Sequence, residues 1–367
     1  DRLQAFSKAR GLSSVPELQN FFSNKMYEIL TSLGKRAVAW DEVLHPSMSP
    51  YVIQNWRGAS TRDQALVKGF DCIFSSGFYL DLFYPSDMHY LFDPEASQRE
   101  LFALEDAMKK DMRLAHIAEG LKWTDRWRTD SVDLSVEAGN QNLGIVLGGE
   151  ACLWGELVSP ETLFPRLWSR LPAVAERLWS KEDVTDVDDF YCRLSSITEL
   201  DELNWTSEQD KGFLGAGLSK SQIPIAKYFE PAKWYFRLLG EQVLKARIEG
   251  GEMPISRPYD MASPLDRVVD FLTPESIDAR KIRGLKDRES LLILMNLWAS
   301  QKPDDWPEDM WQPVEALGLV AGFVIAYLTN VATKAETVER LAGLYVPYGE
   351  HMLGGIPPIM GWLENDE

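Results

Sequence analysis

Four stretches place aromatic and ionisable residues where an apolar run stops. Trp40-Asp41-Glu42 follows "RAVA" and Trp56-Arg57 follows "YVIQN"; Tyr79 and Asp81 follow "FDCIFSSGF", and Trp154 and Glu156 follow "LGIVLGGEACL". In the last stretch Glu150, Cys152, Trp154 and Glu156 alternate, so an extended chain points all four to one face. A carboxylate leaving water there needs a partner, and an indole N–H does too. Indole walls flanked by carboxylates suit a sugar, because the rings cover the C–H faces of a pyranose while the carboxylates accept from its hydroxyls. Each residue taken singly also has an ordinary structural reading. Trp40, Trp56 and Trp154 could be core aromatics, Asp81 and Glu156 ion-pair partners of Arg57 or Arg166, and Tyr79 a satisfied core phenol. Their recurrence at four separate strand ends favours the ligand. Glu150 lies deeper in its strand and reads as structural. Asp41 and Glu42 form an acid/base pair by type, but neighbours on a strand face opposite sides, which keeps them from lining one site. His45 and His89 have no partner pattern and read as surface or loop residues.

The elements that must position these residues alternate. "SSVPELQNFFSNKMYEILTSLGK" reads as a helix, with a Ser14/Glu17 capping box, Pro16 in its first turn and Gly34 ending it. Its apolar stripe is Leu18, Phe22, Met26, Ile29 and Leu33. Short strands follow at "RAVAW", "YVIQNW", "FDCIFSS" and "LGIVLGGEACLW", with a helix "TRDQALVKG" between the second and third. "PRLWSRLPAVAERLWS" reads as a helix, with Pro172 a kink site. Alternating helices and short apolar strands predict a parallel sheet with crossover helices, whose chemistry sits at the C-terminal ends of the strands. The stretch 95–142 is a long insertion over that same face: a helix, then a loop at "KWTDRWRTDSVD". Beyond residue 200 the pattern turns helical, interrupted by a Gly/Pro-rich linker.

The chain has 367 residues and a net charge of −18, acidic enough to argue against nucleic acid or an anionic membrane as partner. Three cysteines rule out a disulfide framework, and no Cys/His spacing suggests zinc. "DRLQAFSKAR" is no signal peptide. The uncharged run from Ala316 to Asn330 is too short to span a bilayer.

"AVAWDEVL", "VIQNWRG", "GFYLD", "GGEACLWGE" and "PRLWSRLPAVAERLWS" resemble, in order and approximate spacing, successive blocks of the family-20 glycoside hydrolases, the β-N-acetylhexosaminidases. The resemblance covers about residues 1–200. It implies the second half of a (β/α)8 TIM barrel, strands five to eight, over 1–200. A helical extension packing on the barrel (201–248), a linker (249–264) and a small all-α C-terminal domain (265–367) follow. It also implies hydrolysis of terminal N-acetylglucosamine or N-acetylgalactosamine, as on chitin-derived chains, by substrate-assisted retaining catalysis, an exception to the two-carboxylate scheme. The substrate's acetamide oxygen attacks the anomeric carbon, while a neighbouring Asp-Glu pair orients the acetamide and protonates the leaving oxygen.

By the same resemblance Trp40, Trp56 and Trp154 wall the acetamide and sugar face. Tyr79 acts in catalysis by donating to the acetamide oxygen, and Asp81 and Glu156 bind outer hydroxyls. No metal or organic cofactor is implied. The Gly-Gly-Asp-Glu block carrying the catalytic pair does not occur in this sequence. The lone chain is therefore expected to be inactive, with another chain or segment supplying the first half of the barrel. The alternative is a non-catalytic glycan-binding protein that keeps the aromatic pocket. Only the resemblance favours an exported compartment (periplasmic, extracellular or lysosomal).

Overall fold

The structure, a computed structural model, describes residues 2–118, 120–129, 143–155, 158–198, 205–232 and 264–366. Strands β1 (Val38–Trp40), β2 (Val52–Asn55), β3 (Cys72–Phe74) and β4 (Val146–Gly149) form one parallel sheet in sequence order. The register pairs Trp40 with Gln54, Gln54 with Ile73, and Ile73 with Gly148. One face of the sheet carries Ile53 and Cys72. It is covered by Tyr27 and Leu30 of helix α2 (Val15–Ser32) and by Ala65 and Leu66 of α3 (Ala59–Val67), after the short α1 (Arg2–Ala9). The opposite face carries Val38, Trp40, Gln54 and Ile73, and Val38 on β1 is exposed. Gly58, at φ 100°, turns the chain from the end of β2 into α3, a conformation that disfavours any side chain. The N-cap of α3 is therefore Gly58, and Thr61 lies buried inside the helix.

Helix α2 forms with half of the expected capping box: Ser14 Oγ accepts from the N–H of Glu17, while the Glu17 carboxylate accepts from Ser13 rather than from Ser14. Its predicted apolar stripe, however, points outward. Phe22 is 64% exposed and Leu33 67%, with Ile29 and Met26 also exposed. The helix carries two apolar faces, and the one with Tyr27 and Leu30 meets the sheet.

After α4 (Ser86–Leu91) and α5 (Gln98–Met108), the insertion continues as two 3-10 segments, Met112–Ile117 and Gly120–Trp127. The second falls on the expected loop. "PRLWSRLPAVAERLWS" is not one kinked helix. It divides into α6 (Pro160–Trp168) and α7 (Leu171–Trp179), because Pro172 supplies no N–H and sits in the first turn of a new helix. His89 is a correction to its surface reading. It is fully buried on α4, its Nδ1 2.9 Å from Gly77 O, and burial pushes its pKa down to about 3.

Further helices follow: α8 (Val187–Thr198), α9 (Trp205–Gly215) and α10 (Ile223–Ala226). The C-terminal part is helical but not all-α. Strands β5 (Phe229–Pro231) and β6 (His351–Leu353) pair antiparallel. Three-residue strands are too short to show a period, so "EPAKWYFRLLGEQVLKARI" reads as helix in sequence; its first two residues lie in β5, and from 233 on it falls outside the described residues. Phe213 and Phe229 share one core with Leu291, Met295, Trp298, Val320, Val324, Ile356 and Ile359. The long helix Trp311–Leu328 is apolar enough by composition to cross a bilayer, and its Val314, Leu317, Val320 and Val324 lie in that core. The linker at 249–264 falls outside the described residues, apart from Pro264.

Candidate active site at the strand ends

β1 stops at Trp40 because Asp41–Val43 turn into a 3-10 helix. Strand alternation no longer governs Asp41 and Glu42, and the expectation that they face apart fails for that reason. Both reach the end of β2. Asp41 is fully buried, and its Oδ2 accepts from Asn55 Nδ2 (3.0 Å), Trp56 N (3.2 Å) and Arg57 N (3.1 Å). Arg57 Nε lies 3.5 Å from the other oxygen. Burial pushes the Asp41 carboxyl up to about 6, against the pull of the Arg57 N–H and charge. Glu42 accepts from Trp56 Nε1 at 2.9 Å and lies 3.5 Å from Arg57 Nη2.

Pairing between the third and fourth strands continues past their ends. Cys152 N donates to Phe78 O (3.0 Å), Leu80 N donates to Cys152 O (2.7 Å), and Tyr79 bridges Cys152 in parallel. This sets Tyr79 beside the segment that leads to Trp154. Burial, reinforced by Cys152, Asp81 and Asp41, holds the Tyr79 pKa well above the usual phenol value, so the hydroxyl keeps its proton and can donate. Asp81 is buried two residues on. The loop carrying it is pinned by the fully buried Arg170, which donates to Leu80 O, Leu82 O (2.7 Å) and Tyr84 O (3.4 Å). Glu150 is exposed and accepts from Gln54 Nε2 at 2.7 Å.

The rings of Trp40 and Trp154 stand 5.9 Å apart, tilted by 41°. Their strands are the first and last of four, and a flat sheet would separate them by roughly 14 Å. The two indoles therefore reach toward each other across the C-terminal end of the sheet. Trp154 is 42% exposed while Cys152 beside it is buried, so the alternating set divides where β4 ends. Trp56 packs edge-on against Trp127 at 4.9 Å, and the Arg57 guanidinium stands 5.4 Å from one ring and 5.5 Å from the other. Trp127 was not singled out in the sequence; its place in the insertion over the strand ends was the available signal. Glu156 lies outside the described residues. Among the described residues, no three His, Cys, Asp or Glu side chains gather as a metal site.

A parallel sheet with crossover helices, and aromatic and acidic side chains at its C-terminal ends, fits a TIM-barrel-type domain. Residues 1–182 match the family model "Glycosyl hydrolase family 20, catalytic domain", and this part of the chain belongs to that family. Its curated relatives include the beta-hexosaminidase subunit beta of Mus musculus, 31% identical over 200 residues, which are 53% of this chain and 31% of that protein. The Homo sapiens subunit beta is 29% identical over 201 residues, 53% of this chain and 30% of that one. These matches thus span about a third of each relative. Among solved structures, a Flavobacterium johnsoniae chitobiase aligns over 98% of this chain and 52% of its own, with a TM-score of 0.68 and 24% identity, a likeness of fold.

Proposed function

We propose that this chain forms one side of an N-acetylhexosamine site in a β-N-acetylhexosaminidase, with the rest of the barrel supplied by another segment or chain. The observation that carries the reading is the Trp40–Trp154 pair at the strand ends, with a half-buried Tyr79 nearby that keeps its proton. The two indoles and Trp56 wall the sugar and its acetamide methyl. Tyr79 donates to the acetamide oxygen, holding it where it can bond to the anomeric carbon as the glycosidic bond breaks; pre-positioning of this kind lowers a barrier strongly. Asp81 and Glu156 take the outer hydroxyls. The acid that protonates the leaving oxygen and the Asp that orients the acetamide come from outside residues 1–367. Terminal N-acetylglucosamine or N-acetylgalactosamine is the substrate, and an exported compartment suits it.

The half-barrel reading draws support from the outward stripe of α2 and from exposed Val38 on β1 and Leu147 on β4, the two edges of the sheet. Open edges and exposed apolar stripes call for a cover. Titration with N-acetylglucosamine, followed by tryptophan fluorescence, tests the pocket. Trp154→Ala should lower affinity at least about tenfold with an unchanged melting temperature. Binding that survives the substitution would sink the proposal. A monomeric 41.7 kDa species that hydrolyses a chromogenic N-acetylglucosaminide would refute the shared site. Binding without turnover, even once the first half is supplied, would favour the glycan-binding alternative.

A further inference from the structure

We infer that Asp41 and Glu42 are positioning residues that clamp the backbone and the indole of Trp56, and that this clamp sets how tightly the pocket takes an N-acetylated hexose. The second half of that statement rests on the function proposed above. Three donors from three consecutive residues converge on one oxygen of Asp41, at 3.0, 3.2 and 3.1 Å. A single carboxylate oxygen thus orders the chain as it leaves β2, just before Gly58 turns it away. Glu42 takes the only N–H of the indole at 2.9 Å. Backbone and ring tip are therefore held separately, by neighbours that the 3-10 turn aims at the same place. Trp127 closes the edge of the ring.

A fully buried carboxylate is an expensive way to satisfy backbone N–H groups. A neutral amide offers one acceptor oxygen, but its NH2 group would then face Arg57 Nε. The charged form holds Trp56 and Arg57 together, and that is what a pocket wall requires. The register places Trp40 opposite Gln54, so Trp56 emerges just beyond Trp40 on the adjoining strand.

The test uses the full chain with Glu42→Gln and Asp41→Asn, a melting curve for each, an N-acetylglucosamine titration, and the indole N–H resonance that Trp56→Phe removes. The Trp56 resonance should move in both variants while the resonances of Trp40 and Trp154 stay. Affinity should fall about tenfold with little change in melting temperature. A folded Glu42→Gln with an unmoved resonance and parental affinity overturns the inference, and this variant decides alone if Asp41→Asn does not fold. Should the parent bind no N-acetylglucosamine, the pocket reading fails separately. The resonance then decides the clamp, a shift supporting it and an unmoved signal overturning it.

Discussion

The sheet region and the C-terminal region solve burial differently. In the C-terminal core Trp298, Met295, Leu291, Val320 and Ile359 are fully enclosed, and helices close around them from all sides. Around the sheet, Phe22, Ile29 and Leu33 on α2, Val38 on β1 and Trp154 beyond β4 remain exposed. The C-terminal region also exposes apolar side chains, Ile293 and Leu319 among them, but around a closed core. The sheet region leaves an apolar helix stripe, a sheet-edge valine and a strand-end indole uncovered. A residue's contribution to stability should therefore depend on which region holds it.

The largest contrast is Trp298→Ala. This side chain meets Tyr228 edge-on at 5.0 Å and lies against Gly355. Its loss should lower stability by about 3–5 kcal/mol, read by denaturant melting. Glu275→Gln comes next, at the junction between the two regions. Glu275 accepts from Ser86 N (3.0 Å) and Tyr191 Oη (2.7 Å) and pairs with Arg280. Arg280 and Arg113 overcome the effect of burial and hold its carboxyl well below the usual range. Removing the charge takes from Arg280 its carboxylate partner, while Arg113 keeps Asp87 and Asp111, at a cost on the order of 3 kcal/mol at neutral pH.

The two carboxylates should also differ in pH dependence. Glu275 has a lowered folded pKa, so its contribution is present above the unfolded value and is lost as pH falls through the folded one. Asp41 has the opposite sign: its folded pKa, about 6, exceeds an unfolded value near 3.8. The folded state binds more protons between these values, and stability falls as pH rises through that window. The ionisable groups facing it are Arg57 and Glu42, with Tyr79 and Cys72 from the third strand and its extension, both pushed above their ordinary values. Asp41→Asn should flatten the slope of melting temperature across that window; an unchanged slope would assign the titration elsewhere. The smallest effect is expected from Phe22→Ser with Leu33→Ser. Stability of the lone chain should change by less than about 0.5 kcal/mol, while association with a supplied first half-barrel should weaken, as measured by sedimentation.

Much of the sheet region was legible because each strand is short, apolar and punctuated by a change of residue type. Trp40, Trp56, Tyr79 and Trp154 stand out at the strand ends for that reason. Asp41 and Glu42 were misread because alternation was extended past Trp40 into a 3-10 turn. His89 was misread because nothing local marks a helix face that will be buried under Arg170 and Gly77. The β5–β6 pair joins residues more than a hundred positions apart through strands too short for periodicity to register. The stripe on α2 was periodic and real, yet periodicity cannot say which of two apolar faces meets the sheet.

The sequence by itself determined the alternation of strands and helices, the residue types at the strand ends and the family blocks, because these are local patterns with a fixed period. Only the tertiary structure decided that Trp40 meets Trp154, that two adjacent carboxylates grip Trp56, and that α2 leaves an apolar face to solvent. Those outcomes depend on distances between segments far apart in the chain, which no local pattern encodes.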